Sequence, residues 1–308
     1  MAAGTYDEQV VIDKSLTLQG TGDTTIIKPS QGTANNFTLF TRYGGGSTAG
    51  IVVANASGAS VTVKNLKVDG ELITTKTGNL TGASGLHGVF YRETGGTIGN
   101  VAVEDIGIMN GNGIYLCSLS DTSPSVTVEV KDCRSYDYLK NGITANGPTL
   151  TVNIHDNTIT GGGPTASSCQ NGIQIGYGAT GTIKDNTIDG HYYTNPDWAA
   201  TDILVTASNA TVEGNILTGG YEGIGVDGGY TEGSSWTVTI KNNTVDASDM
   251  GSSQYAFGIH VSTYNAGQVI TAIIEGNQLI GGPPEDWGIV IGESYFGYLG
   301  DVVFTIRQ

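Results

Sequence analysis

Five short segments in the second half of this chain repeat one another: Asp156-Asn157-Thr158-Ile159, Asp185-Asn186-Thr187-Ile188, Gly214-Asn215-Ile216-Leu217, Asn242-Asn243-Thr244-Val245 and Gly276-Asn277-Gln278-Leu279. Their asparagines lie 29, 29, 28 and 34 residues apart. A period of that length means one structural unit used again and again. No single unit buries its apolar face alone, so the units must stack. The repeat constrains the fold far more than it constrains the chemistry.

Each repeat carries two apolar segments. One reads Gly-Ile-x-Ile or nearly so: Gly88-Val89-Phe90-Tyr91, Gly113-Ile114-Tyr115-Leu116, Gly142-Ile143-Thr144-Ala145, Gly172-Ile173-Gln174-Ile175, Gly223-Ile224-Gly225-Val226, Gly258-Ile259-His260-Val261 and Gly288-Ile289-Val290-Ile291. Asp202 takes the glycine place before Ile203-Leu204-Val205. The other segment puts an aliphatic residue three positions before each asparagine, at Ile154, Ile183, Val212, Ile240 and Ile274. Val63 to Leu66, Val103 to Ile106 and Val130 to Cys133 fit the same frame in the first half. Alternation along such strands gives one aliphatic face, and stacking at about 4.8 Å joins these faces into a continuous interior. Forty-eight glycines without a collagen triplet, and only 14% charged residues, suit many tight turns. The expected fold is all-β: a right-handed, single-stranded parallel β-helix (a solenoid) of about ten turns. It spans 1–308 as a single domain, on the order of 45–50 Å long. Inward asparagines at one position would hydrogen-bond one another along the stack.

The residue before each ladder position is Asn65, Asp105, Asp132, Asp156, Asp185, Gly214, Asn242 or Gly276. Asn, Asp and Gly tolerate left-handed backbone, so a sharp corner is expected there. The run of aspartates has a second reading, a calcium column. Otherwise the sequence calls for no cofactor and no metal. One residue earlier stand Lys64, Glu104, Lys131, His155, Lys184, Glu213, Lys241 and Glu275, whose mostly alternating signs suit a solvated ladder of cross-strand ion pairs.

The net charge of −16, with thirteen Lys plus Arg, excludes a nucleic-acid partner, because no basic stripe exists to displace counterions. It also disfavours a polyanionic glycan unless a metal bridges the charges. Three cysteines, Cys117, Cys133 and Cys169, form no disulfide framework or metal motif. No apolar run approaches the 18 residues of a membrane span. Met1 leads directly into folded-domain sequence, so any export signal is expected upstream. Val303-Phe304-Thr305-Ile306-Arg307-Gln308 runs in phase with Ile240-Lys241-Asn242. An uncapped coil there suggests a piece excised from a longer protein, or an end covered by another subunit in an oligomer.

The opening Ala3-Gly4-Thr5-Tyr6-Asp7-Glu8-Gln9-Val10, followed by Leu16-Thr17-Leu18-Gln19-Gly20, resembles the first turn of pectin-lyase-like β-helix proteins, among them pectin methylesterases and NosD-like surface repeat proteins. The Asn-x-Ile repeats resemble the generic repeat of that superfamily. The resemblance implies a fold shared by carbohydrate lyases, hydrolases, esterases, epimerases, tailspikes and adhesins, and no single activity. The Asn-Thr-Asp, Asp-Asp, Gly-His-Gly and Arg-Ile-Lys motifs of polygalacturonases do not occur in the chain, and neither do the catalytic motifs of pectin methylesterases.

Outward positions of the Gly-Ile-x-Ile strands define where chemistry can sit. One column is Phe90, Tyr115, Thr144, Gln174, Leu204, Gly225, His260 and Val290; the next contains Asp227 between Thr206 and Ser262. Asp227 and His260 are catalytic candidates on neighbouring turns, roughly 8 Å apart by strand spacing. Asp202 and Glu222 border the same sheet and could supply a second carboxyl group. Aromatics point to sugar binding: Tyr192, Tyr193 and Trp198 in the insertion after His191, with Tyr221, Tyr115 and Gln174 on the strands. Tyr230, Trp236, Tyr255 and Trp287 follow on later turns. Three readings follow. The first is an extracellular or cell-surface domain that binds glycan or builds a surface layer without catalysis. The second is a polysaccharide lyase or hydrolase working across the Asp202–His260 face. The third is a phage or surface fibre module.

Overall fold

The structure is a computed structural model that describes residues 1–195, 198–230, 233–248, 257–281, 287–292 and 300–307, with Trp287 described by its backbone alone. Tyr255 and Gln308, named above, lie outside the described residues. The chain forms two compact units, residues 1–158 and 159–308.

In residues 159–308 the Gly-Ile-x-Ile segments are strands Asn171–Gly176, Thr201–Thr206, Glu222–Asp227, Phe257–Ser262 and Trp287–Ile291, each paired in parallel with the next. Ile173, Ile203, Ile224, Ile259 and Ile289 are register partners, as are Gln174, Leu204, Gly225, His260 and Val290. A second parallel stack runs through Thr180–Lys184, Asn209–Glu213, Ser235–Lys241, Val269–Glu275 and Asp301–Arg307. Asn186, Asn215, Asn243 and Asn277 each sit at the corner between this second strand and a third, short-paired one: Thr187–Tyr193, Ile216–Thr218, Thr244–Asp246 and Gln278–Ile280. The sequence shows two strands per repeat because the third carries only three or so paired residues. Ile183, Val212, Ile240, Ile203, Ile224 and Ile259 are buried and form the interior. Phe304 and Ile306 continue the columns of Ala272 and Ile274 and stay half exposed.

Residues 1–158 follow the same plan, with parallel strands Val10–Ile12, Ser47–Ala54, Leu86–Arg92, Asn112–Cys117 and Asn141–Asn146 forming the equivalent sheet. Phe40–Thr41 folds back antiparallel on Ser47–Thr48 as a hairpin. All three cysteines are free thiols, and burial pushes the Cys117 thiol up to about 12.

The corner residues behave as their chemistry requires. Asn65, Asp132, Asp156, Asp185 and Asn242 have φ between 54° and 57°, and Gly214 and Gly276 have 69° and 62°. One turn needs correction. The corner equivalent to Asn65 is Asn100 (φ 51°), because Lys64 pairs with Gly99 and Leu66 with Val101. Asp105 is also left-handed, with φ 59°, but it belongs to the next corner, since Asp69 pairs with Glu104. The chain here carries the same aliphatic spacing twice, Ile98 to Val101 and Val103 to Ile106, so the pattern fitted either. Asp69, Glu104 and Asp105 converge there, with Lys28 and Lys67 supplying countercharge.

Behind the corners the buried amides are hydrogen-bonded in series. Asn215 Oδ1 accepts from Asn186 N at 3.0 Å and from Asn186 Nδ2 at 2.9 Å. Asn243 Oδ1 accepts from Asn215 in the same way, and Asn277 Oδ1 from Asn243. The other proton of each Nδ2 goes to a backbone carbonyl of the preceding coil: Ile183 for Asn215, Val212 for Asn243 and Ile240 for Asn277. An asparagine used this way spends both donors and both acceptor sites, which satisfies a buried amide. Replacing Asn215 by Ala removes a hydrogen-bond partner from Asn186, Ile183 and Asn243 at once. The expected cost is about 2–4 kcal/mol, read as a lower midpoint of urea unfolding at unchanged slope.

Candidate functional site

The site is assembled on the outward face of the 159–308 sheet, where three consecutive strands deliver their polar residues. Thr201, Glu222 and Phe257 are register partners, as are Thr206, Asp227 and Ser262. Glu222 folds along the strand over Gly225: a Cβ on Gly225 would lie 2.6 Å from Glu222 Oε2. The missing side chain at 225 therefore creates the space in which the carboxylate lies. Both its oxygens are held. His260 Nδ1 sits 2.8 Å from Oε1, and Thr201 Oγ1 donates to Oε2 at 3.0 Å. The His260 ring packs nearly parallel to Phe257 at 5.6 Å. Glu222 and His260 are both buried.

Asp227 lies on the same face, half-buried at the end of the Glu222 strand. Its Oδ1 accepts from Thr206 Oγ1 at 2.5 Å and from Gly229 N at 2.7 Å. Burial nonetheless lifts its carboxyl to about 6; Glu222 adds to the rise, while the two donors and His260 oppose it. Two carboxyl groups and an imidazole thus share one water-poor face with distinct partners, an arrangement able to divide acid and base roles.

Asp202 departs from the expectation. The glycine place it occupies points inward, because the register passes from Thr201–Glu222 to Ile203–Ile224 and leaves the residue between unpaired across the sheet. At Gly223 the same position abuts Val245. Asp202 fits only because Gly220 leaves room beside it and His191 Nδ1 meets its Oδ1 at 2.8 Å. The pair is fully buried, with Asp202 Oδ2 unpartnered. Burial raises the Asp202 carboxyl well above the carboxylate range and lowers His191 to about 3. Asp202 belongs to the interior rather than to the outward site.

The sugar-binding candidates divide. Tyr192 and Tyr221 are buried and pack ring to ring at 5.4 Å, and Tyr221 packs on Phe257 at 5.6 Å. These aromatics extend the sheet face and support Phe257, in place of an open platform. Tyr193 is half-buried and Trp198 is 50% exposed. Gln174 is buried in the His260 column. Tyr115, in residues 1–158, is buried and stacks on His87 at 4.5 Å, in an apolar cluster with Phe90 and, from the hairpin, Phe40. Burial holds His87 down to about 3. Sequence reasoning missed Thr201, Thr206 and Phe257. Their column positions were the available signal.

The chain matches the family described as right handed beta helix region over residues 87–283. It belongs to the right-handed β-helix family. No curated protein matches this β-helix in sequence. Among solved structures it is similar to an Acinetobacter phage vb_AbaP_AS12 gp42 tailspike (12% identity, TM-score 0.56, 99% of this chain and 56% of that one). It is also similar to the Azotobacter vinelandii mannuronan C-5 epimerase AlgE4 A-module (13% identity, TM-score 0.46, 100% and 86%). A third is a lacto-N-biosidase from Eubacterium ramulus (14% identity, TM-score 0.49, 100% and 62%). This β-helix therefore spans little more than half of the tailspike and less than two thirds of the biosidase. The likeness is one of fold, the right-handed parallel β-helix.

The raised carboxyl of Asp227 fixes a sign for stability. Native protein holds a proton that the unfolded chain, titrating near 3.8, has released. Stability contributed by that proton is present below about pH 4, falls as pH rises, and is gone above about 6. Asp227→Asn keeps an oxygen for Thr206 and Gly229 and removes the slope. After discounting for solvent screening at a half-buried site, the variant should be more stable at pH 8 by about 1–2 kcal/mol, seen as a higher Tm that no longer drops between pH 4 and 6.

Proposed function

We propose that residues 159–308 carry a glycoside-hydrolase site for a neutral glycan, working outside the cell. The observation that carries this reading is the outward constellation itself: Asp227, whose carboxyl burial pushes up to about 6, on one face with a buried Glu222–His260 pair. Asp227, protonated for much of the time near pH 6, protonates the leaving glycosidic oxygen. Glu222, oriented by His260 and Thr201, takes a proton from the attacking water. Glu222 Oε2 lies over Gly225, two residues before Asp227, which puts the carboxyl groups on the order of 6–7 Å apart by strand rise. That supports an inverting displacement, whose carboxyl separation runs from about 6.5 Å upward. Charge supports the substrate class. Residues 159–308 contain fifteen Asp and Glu against three Lys and Arg, which repels a polyuronate and leaves few bases for a lyase.

The test is release of reducing ends from a panel of neutral polysaccharides. Wild type should cleave one of them. Asp227→Asn and Glu222→Gln should each lose about 100-fold or more in rate while remaining folded. Because the acid must be protonated, kcat/KM should fall as pH rises through about 6. No cleavage between pH 4 and 8, or cleavage undiminished in both variants, sinks the proposal. The exposed Trp198 and Tyr230 favour a second reading, glycan binding without hydrolysis, which predicts binding in the same panel and no new reducing ends.

A further inference from the structure

Just past the outward strands, two loops from successive coils are tied together. Asp227 is followed by Gly228, Gly229 and Tyr230; Ser262 is followed by Thr263, Tyr264 and Asn265. Gln268, completely buried, joins them. Its Oε1 accepts from Tyr264 N at 2.8 Å and Asn265 N at 3.0 Å. Its Nε2 donates to Gly228 O at 2.8 Å and Gly229 O at 3.1 Å. Asn265 Nδ2 adds a bond to Gly229 O at 3.4 Å. Gly228 has no alternative there, since a Cβ would collide with the Gln268 amide, and Gly229 turns at φ 55°. Gly229 N in turn donates to Asp227 Oδ1. One amide thus fixes both loop tips against each other and against the Asp227 carboxyl.

The side chains held this way are Tyr230, 68% exposed, and the half-buried Tyr264, with ring centroids 6.2 Å apart and planes tilted by 44°. A large aromatic ring left in water on a rigidly braced loop contributes little to folding. Its cost in order is recovered when something flat and weakly apolar lies on it. The excess of Asp and Glu over Lys and Arg in residues 159–308 disfavours an anionic ligand, and the C–H face of a neutral pyranose ring fits the negative π-face of tyrosine.

We infer that Tyr230 and Tyr264 form a stacking subsite for a neutral sugar ring beside Asp227, preset by Gln268. The inference rests on the proposed function in taking a neutral glycan as ligand; it does not require that the glycan be cleaved. The experiment titrates cellohexaose, laminarihexaose and mannohexaose, with hexagalacturonate as anionic control, into protein carrying Asp227→Asn to prevent turnover. One neutral oligosaccharide should bind. Tyr230→Ala should weaken it about tenfold, Tyr230→Phe should restore it, and Gln268→Ala should weaken it with both tyrosines present. Tyr230→Ala should leave Tm unchanged, which separates a binding role from a structural one. An unchanged Kd in Tyr230→Ala, tighter binding of hexagalacturonate, or no binding of any neutral hexamer at millimolar concentration overturns the inference. Cleavage by the wild type with Kd indifferent to Tyr230 refutes this subsite alone. Lost binding in Tyr230→Ala without any cleavage refutes the hydrolase alone.

Discussion

Coil-to-coil pairing is the constraint on which this structure depends. A strand such as Glu222–Asp227 has no partner within its own repeat. It is completed by Thr201–Thr206 on one side and Phe257–Ser262 on the other. The same parallel pairing closes the aliphatic interior, since Ile203, Ile224 and Ile259 bury one another only when the register holds. A slip by one residue would turn every side chain to the opposite face. The amide series from Asn186 to Asn277 makes such a slip costly, because it would also leave buried polar groups unpaired.

The candidate site uses that constraint. Stacking brings Thr201, Glu222 and His260 into hydrogen-bonding contact although they are 21 and 38 residues apart in sequence. The interior supplies the rigid base, and the loops between strands can lengthen without disturbing it. Gln268 shows the same division of labour at the sheet's rim. Its backbone carbonyl accepts from Asp301 in the next coil while its side chain braces the two loops.

Much of the fold was legible in the residues. The asparagines marked the coil, and the Asn, Asp and Gly column marked left-handed corners, because those residue types answer to backbone geometry rather than to distant contacts. The outward columns in residues 159–308 were legible too, since alternation has a period of two. What misled was the local break in that period. At the start of each outward strand one residue is skipped in the register, and this turns Asp202 into the interior toward His191. The strand Gly95–Glu104 hid its corner at Asn100 because the Ile98-to-Val101 spacing recurs at Val103 to Ile106. The burial of Tyr192, Tyr221 and Tyr115 depends on neighbours from other coils and from a hairpin, which no spacing within one repeat announces.

The amide series has a direction. Every carbonyl oxygen in it looks back toward the amino-terminal side, and every N–H it receives comes from there. The amide spine is therefore polar from coil to coil: each side-chain oxygen accepts from the coil before, and each main-chain N–H at these positions donates to the coil after, so the order of the coils is written into its hydrogen bonds.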